Sequence, residues 1–289
     1  MSEAVQSMSE TVKAHDNGAR QRCIRFVEAI TGNDVVLMAF KDPATGYAVL
    51  CEAVATGNIE AEPRGDELEV VLLPAPAQLQ GTPLAANQGL VEWMEKSGDQ
   101  SVPPVFVKVR GVELMWRPGR VLLQCDSEQT ESLLSAVVEF THYESELRRI
   151  EYEIAETWEE LEQDKALAFD VTTADLERSA IVGARMNRVL QRRIRFARIE
   201  PHLYEATASL TAAGRKLGEE LREKARIEAR LETVDAQLEV FEGIYEMSGQ
   251  RMGEYRAARQ EHVLEWIIIV LLAAEMLLLL AQIVWKSGV

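Results

Sequence analysis

Twenty residues from Trp266 to Trp285, WIIIVLLAAEMLLLLAQIVW, constrain this chain more than any other stretch. At about 1.5 Å per residue, a helix of that length reaches roughly 30 Å, the thickness of bilayer hydrocarbon. A tryptophan stands at each end, where aromatic belts sit. With its flanks the segment reads as a transmembrane helix over 263–286. Arg251, Arg256 and Arg259 precede it and only Lys286 follows. The excess of basic residues on one side places the large N-terminal part in the cytoplasm. The short tail favours the same orientation, because nothing bulky has to cross. The expectation is a tail-anchored protein with a single span and the lipid bilayer as its first partner.

One residue breaks the apolar run. Glu275 falls near the midplane, where an ionised carboxylate costs several kcal/mol unless it is protonated or paired. Gln282 follows seven residues later on the same helix face, and Ala274 and Ala281 beside it permit close helix approach. Three readings stay open: a contact between copies of the helix, a ring that handles protons or ions, and a protonated glutamate tolerated in lipid.

Upstream, the sequence changes character twice. Residues 1–20 are polar and partly acidic. They lack the apolar core of a signal peptide and the arginine-rich, acid-poor character of a transit peptide, and read as a disordered tail. Residues 21–125 alternate short apolar runs with turn signals. DVVLMAF and YAVLCEAV flank KDPATG, a hairpin pattern. VFVKV, VELMW and GRVLLQC, separated by RG and RPG, predict a three-strand meander. PLAANQGLVEWMEKSG is helix-like. Together they predict a small α+β domain.

From residue 126 to 262 there is no strand signal and one proline. Asp126 is placed to cap a helix, with Gln129 reaching back. Leu133, Phe140, Leu147, Ile154, Leu161 and Ala168 recur every seven residues, the mark of a long helix with one apolar seam. Its other faces are acidic. A second helix starts at Thr172 or Thr173 and runs to about Ile199, with Val182, Met186, Leu190 and Ile194 as its apolar stripe. Arg185, Arg188, Arg192 and Arg195 form a basic stripe on it. Pro201 suits the first position of a third helix. There Ile227, Leu231, Val234, Leu238, Phe241, Tyr245, Met252 and Tyr255 keep a three-four spacing almost to the membrane, with Gly249 and Gly253 as candidate kinks. The fold expectation is a small α+β domain, a long helical stalk of hairpin or coiled-coil type, and one C-terminal transmembrane helix.

Chemistry has little support. A formal charge of −16 disfavours long-range attraction to nucleic acid. Cys23, Cys51 and Cys125 are odd in number and form no C-x-x-C pair, which suits reduced thiols in a reducing compartment. His15, His142, His202 and His262 show no metal-ligand spacing. His202 and Glu205 stand three apart, but a helix-surface pair is the simpler reading. There is no Walker loop, no G-x-G-x-x-G after a strand and no G-x-S-x-G. Neither enzyme activity, metal, cofactor nor small-molecule substrate is expected. The arginine stripe stands out against the acidic chain. It suits packing on the acidic helix, within or between subunits, or a phosphate partner such as RNA, a ribosome or anionic lipid.

These features together resemble a known family. A long helix containing YESELRRIEYEI, a later HLYEA, a heptad helix and then LEWIIIVLLAAEM resemble the Required-for-Meiotic-Nuclear-Division family, also called the YagE-type domain of unknown function. The family's closing signature corresponds here to Leu264, Glu265, Trp266, Ile267 to Ile269 and Glu275. GRVLLQCDSEQTESLLSAVVEFTHYE is similar to its strand-to-helix junction. The resemblance covers residues 120–289 well and the N-terminal domain in outline. It implies a single-span, self-associating membrane protein with no known catalytic residues. A mitochondrial member supports organellar translation by holding ribosomes near the inner membrane. For this chain the resemblance suggests a bacterial inner-membrane protein facing the cytoplasm, with a matrix-facing mitochondrial protein as the alternative.

The expected function is a homo-oligomeric scaffold that displays its N-terminal domain at the membrane and tethers a protein or ribonucleoprotein partner. The alternative is a pore or transport-associated assembly using a ring of Glu275. Trp266, Trp285 and Glu265 mark the membrane interface, and Glu275, Gln282, Ala274 and Ala281 the contact between spans.

Overall fold

The computed structural model describes residues 20–32, 34–42, 46–50, 66–75, 84, 88–95, 102–205 and 210–287. Apart from Arg20, the tail expected to be disordered lies outside the described residues, as does Cys51. The chain is an N-terminal sheet domain followed by long helices. It divides into two compact units, residues 1–151 with 194–234 and residues 152–193 with 235–289.

In the first unit, β1 (Arg20–Val27), β2 (Val35–Phe40), β3 (Gly46–Leu50) and β4 (Glu67–Pro74) are followed by the helix α1 (Gln88–Glu95). Then come β5 (Val105–Val109), β6 (Val112–Arg117) and β7 (Arg120–Cys125). The seven strands form one sheet in the order β2-β3-β1-β4-β7-β6-β5. The expected β2–β3 hairpin and the β5–β7 meander are both present, and the turns show why. Arg110 and Gly111 both have positive φ, 45° and 84°, the geometry that lets a two-residue loop follow the strand twist. Pro118 and Gly119, the latter at φ 78°, close β6 onto β7 with Arg117 opposite Arg120. The crossover that unites the two halves of the sheet was not announced by the sequence: β4 and β7 run parallel, Val70 beside Val121 and Leu72 beside Leu123.

Every residue of β6 and β7 is buried, because both faces of the sheet are covered there. On one face Val71, Met115 and Leu122 pack with Leu84, Trp93 and Met94. Two buried arginines hold α1 in place by its C-terminal carbonyls. Arg120 donates to the Trp93 carbonyl at 2.6 Å and lies 4.6 Å over the Trp93 ring, while Arg117 donates to the Met94 and Glu95 carbonyls. Cations at a helix C-terminus meet the negative end of its dipole. On the other face Trp116 donates its indole N–H to Thr141 at 2.9 Å and meets Phe140 edge-on. Both belong to α2 (Thr130–Asp164). This helix opens at Thr130, not at an Asp126 cap; a turn intervenes, with the Gln129 N–H donating to the Asp126 carbonyl.

Beyond α2 the chain forms a short 3₁₀ turn (Lys165–Ala168), α3 (Thr173–Glu177), α4 (Ser179–Tyr204), α5 (Ala212–Lys224) and α6 (Ile227–Ser287). Thr172 caps α3 in a reciprocal box with Asp175. Two expectations about α4 are corrected. Pro201 starts no helix; it lies within α4, three residues before the end. Ala197, whose carbonyl lacks the usual N–H partner because Pro201 has none, is exposed. Second, of the expected stripe Val182 is buried and Met186 half-buried, but Leu190 and Ile194 are exposed; the buried line continues instead through Val189, Phe196, Ile199 and Leu203. Alternating three- and four-residue steps fit both faces, so periodicity alone chose the wrong one. Within the first unit, α5 approaches α2 closely at Gly214, where an added Cβ would sit 3.0 Å from the Ser132 carbonyl oxygen.

Candidate functional site: a helix that leaves the folded body

The helix α6 begins sharply. Arg226 takes a left-handed conformation at φ 54°, which ends α5 and lets Ile227 start the new helix. From there 61 residues run without interruption to Ser287, roughly 90 Å of helix. Ile227, Leu231, Val234, Leu238, Phe241, Tyr245 and Met252 of the expected seam are buried, and Tyr255 is half-buried. From Arg256 to Leu280 every residue is exposed on all sides of the helix. Gly249 and Gly253 do not interrupt it, and open space surrounds both.

The far part contains one segment long and apolar enough to cross a membrane, none of it buried within the described chain. Trp266, Glu265, Ala274, Glu275 and Gln282 all lie on it and are exposed. A Glu265 carboxylate oxygen lies 3.1 Å from the His262 Nδ1, within reach to accept its proton, at the start of the apolar run. Ala281 and Trp285 belong to the same helix, and their side chains lie outside the described set.

The near part of α6 is held by polar clamps in the second unit. Asp164, the last residue of α2, is fully buried (0% exposed). Its carboxylate accepts from Arg178 at 2.9 Å, from Arg185, and from the Tyr245 hydroxyl at 3.4 Å. Three elements thus converge on one anion. Burial, with Asp164 beside it, pushes the Tyr245 phenol up to about 12, so it stays a donor. The hydrogen bond to Asp164 raises the Arg185 guanidinium further above its ordinary range.

The rest of the arginine stripe continues this pattern. Arg188 pairs with Glu160 at 2.6 Å, and Arg192 with Glu153 at 3.1 Å and Thr157 at 3.0 Å. These partners all lie on α2. Arg195 is half-buried further along. Arg193, outside the expected stripe, bridges to Asp235 and to Glu242 of α6. In the first unit Arg230 of α6 reaches Glu151 at 2.7 and 2.8 Å and the buried Glu144 at 2.9 Å.

A second polar cluster, wholly in the first unit, escaped sequence reasoning. The His142 ring stacks on Phe40 at 3.8 Å, and Tyr143 stacks on His202 at 4.5 Å. Asp42 receives Arg198 at 2.8 Å and lies 3.7 Å from His202. Arg222, buried beside Glu139, donates to the His202 carbonyl at 3.2 Å. Burial drives His142 down to about 4, against a hydrogen bond to the Asp42 backbone that favours its proton. Burial raises the Tyr143 phenol to about 12, helped by the charges of Glu139 and Asp42. Only the three-residue step from Glu139 to His142 hinted at a shared face; His202 arrives from another helix. Glu205, the residue spaced to join His202, is exposed. Among the described residues no group of His, Cys, Asp or Glu side chains is arranged to hold a metal ion.

The geometry defines a chain with a folded sheet-and-helix body and one long apolar C-terminal helix that is a candidate membrane anchor. A scan against protein-family models finds no match, and a search of curated proteins finds none.

Proposed function

We propose that this protein is a membrane-anchored scaffold that self-associates and displays its N-terminal sheet domain at the cytoplasmic face of a bacterial inner membrane. One observation carries the reading: α6 passes without a break from a buried seam into an exposed apolar segment with Glu275 in its middle. An isolated span offers that carboxylate no partner, whereas a neighbouring copy offers one at the same depth. The resemblance to the Required-for-Meiotic-Nuclear-Division family supports the same architecture. It adds a partner class, a ribosome or other ribonucleoprotein held near the membrane. No catalytic step is assigned to the protein.

Carbonate washing of membranes tests the anchor. The full chain stays in the pellet, and a chain ending at His262 is released with its folded body intact. Recovery of the full chain in the soluble fraction without detergent refutes the anchor. Solubilisation in mild detergent with a subunit count and identification of co-purifying molecules tests the scaffold. A monomer that captures nothing refutes it. If Glu275→Gln keeps the subunit number but abolishes a proton or ion flux in liposomes, the pore reading replaces the scaffold.

A further inference from the structure

Between its last covered turn and its apolar run, the seam of α6 changes character. Met252, Arg256, Arg259 and Val263 follow one another at four-, three- and four-residue steps and so share one line of the helix. Met252 is the last fully buried residue of the seam, and Val263 opens the expected span. The two positions between them, where the pattern calls for apolar residues, hold exposed arginines. At about 100° per residue Glu254 and Glu261 fall on the far side of the helix, and Glu254 is engaged by Arg251 at 3.0 Å. Acidic residues outnumber basic ones 47 to 31 in this chain. Yet among the described residues no carboxylate pairs with Arg256 or Arg259.

The turn that joins α2 to α4 ends at this level. The Thr173 hydroxyl lies 2.9 Å from the Tyr255 hydroxyl, and Arg256 donates to the Ser179 hydroxyl at 3.4 Å. Among the described residues these are the last hydrogen bonds between α6 and the body, one turn above Arg259.

We infer that Arg256 and Arg259 bind the phosphate of an anionic membrane phospholipid at the headgroup level beneath that turn. The inference rests on the anchor proposed above and names a ligand for it. Depth is the first argument. At about 1.5 Å per residue Arg259 stands about 6 Å, and Arg256 about 10 Å, above Val263. The headgroup layer on each side of the hydrocarbon is about 5–8 Å thick. Arg259 lies within it, and the long stem of Arg256 lets its guanidinium reach the upper edge. The second argument is chemistry. A guanidinium presents paired N–H donors that match phosphate oxygens, and phosphates fill this layer. The third is the distribution of charge around the helix. With the acids on the far side, the seam side is the one that attracts an anion.

Native mass spectrometry of the full chain, released from nanodiscs of phosphatidylcholine mixed with phosphatidylglycerol, tests this. The parent retains phosphatidylglycerol in preference. Arg256→Gln/Arg259→Gln weakens that retention about thirtyfold, since each cation near an anionic surface contributes about fivefold. Arg251→Gln, which removes a cation already engaged by Glu254, leaves it unchanged. Both variants stay with carbonate-washed membranes and keep the circular dichroism of the parent. Equal retention of the two lipids by the parent overturns the inference while the anchor stands, and so does an undiminished preference in the double variant. A full chain recovered in the soluble fraction without detergent overturns both. Should the double variant misfold, Arg259→Gln decides alone, with an expected loss of about fivefold. Inorganic phosphate that binds the lipid-free chain in detergent, and fails to bind the double variant, assigns the pair to a free anion and overturns the lipid. Co-purifying RNA that is lost in the same variant overturns it too.

Discussion

The two halves of α6 are one helix in two environments. Up to Met252 its apolar line is covered by its own chain, and Tyr245 and Arg230 end on carboxylates of α2. From Arg256, which still donates to the Ser179 hydroxyl at 3.4 Å, to Leu280 every residue is exposed, the central carboxylate Glu275 included. The near half is held by what the chain supplies; the far half, in our proposal, takes its surroundings from lipid and from other copies. Charge follows the same division. Buried acids in the near half are met at hydrogen-bond distance, as low-dielectric surroundings demand. In the far half, on the proposed reading, the same demand passes to neighbouring copies.

The largest expected effect breaks the near half. Asp164→Ala leaves Arg178, Arg185 and the Tyr245 hydroxyl without their common acceptor in a buried site. Removing one partner of such a group costs about 3–5 kcal/mol. Chemical denaturation of the truncated body shows the loss, while membrane retention of the full chain is unaffected. Equal stability would mean that water replaces the carboxylate and that the clamp is ornamental.

Acid sharpens the contrast. His142 is held neutral when folded, at about 4, while the unfolded chain takes up its proton near 6.5. Its contribution is present above pH 6.5, drains as pH falls from about 6.5 to about 4, and changes no further below. At 1.36 kcal/mol per pKa unit the loss is on the order of 3 kcal/mol. The body should therefore lose stability across that window while the span stays inserted. His142→Phe, which keeps a ring against Phe40, flattens that limb of the profile. An unchanged profile shows that His142 takes up its proton as readily in the fold as in the unfolded chain.

Much of this organisation could be read in advance. Arg110–Gly111 and Pro118–Gly119 announce the meander because tight hairpins demand those conformations. The α6 seam follows from a spacing only a helix buries. Three things resisted. The parallel β4–β7 pairing is a long-range choice with no local mark. Two neighbouring apolar lines on α4 share one period, and burial of Arg192 against Glu153 overrides the rule that arginines face water. The ladder of Phe40, His142, Tyr143 and His202 joins residues from three elements. At the span, Glu275 was legible as an anomaly, but its partner was not.

The far half yields a smaller effect. Glu275→Leu makes the span greasier and improves insertion, yet weakens assembly, whereas Glu275→Gln retains a hydrogen bond and keeps it. A contact of this kind contributes about 0.5–2 kcal/mol. Subunit counts for the two variants decide; a Leu variant that assembles as well as the parent rules out Glu275 as a contact.

The smallest effect lies where α6 begins. Arg226 occupies a left-handed conformation that side chains other than glycine adopt at a cost of about 1–2 kcal/mol. Arg226→Gly should stabilise the body by about 0.5–1 kcal/mol, read as a higher melting temperature. A lower one shows that the arginine side chain contributes more than the backbone gains.

An unbroken α-helix resists twisting far better than a jointed one, so α6 is mechanically an axle. Tyr245, seated on Asp164, is the key that fixes the angle of that axle in its housing. Each residue around a helix turns the direction by about 100°. Slipping the seam by one position would swing Glu275 through more than a quarter-turn, thirty residues away, with no change in the apolar segment itself. If the apolar segment spans a bilayer as proposed, the direction of its carboxylate is thus set by a contact outside that bilayer.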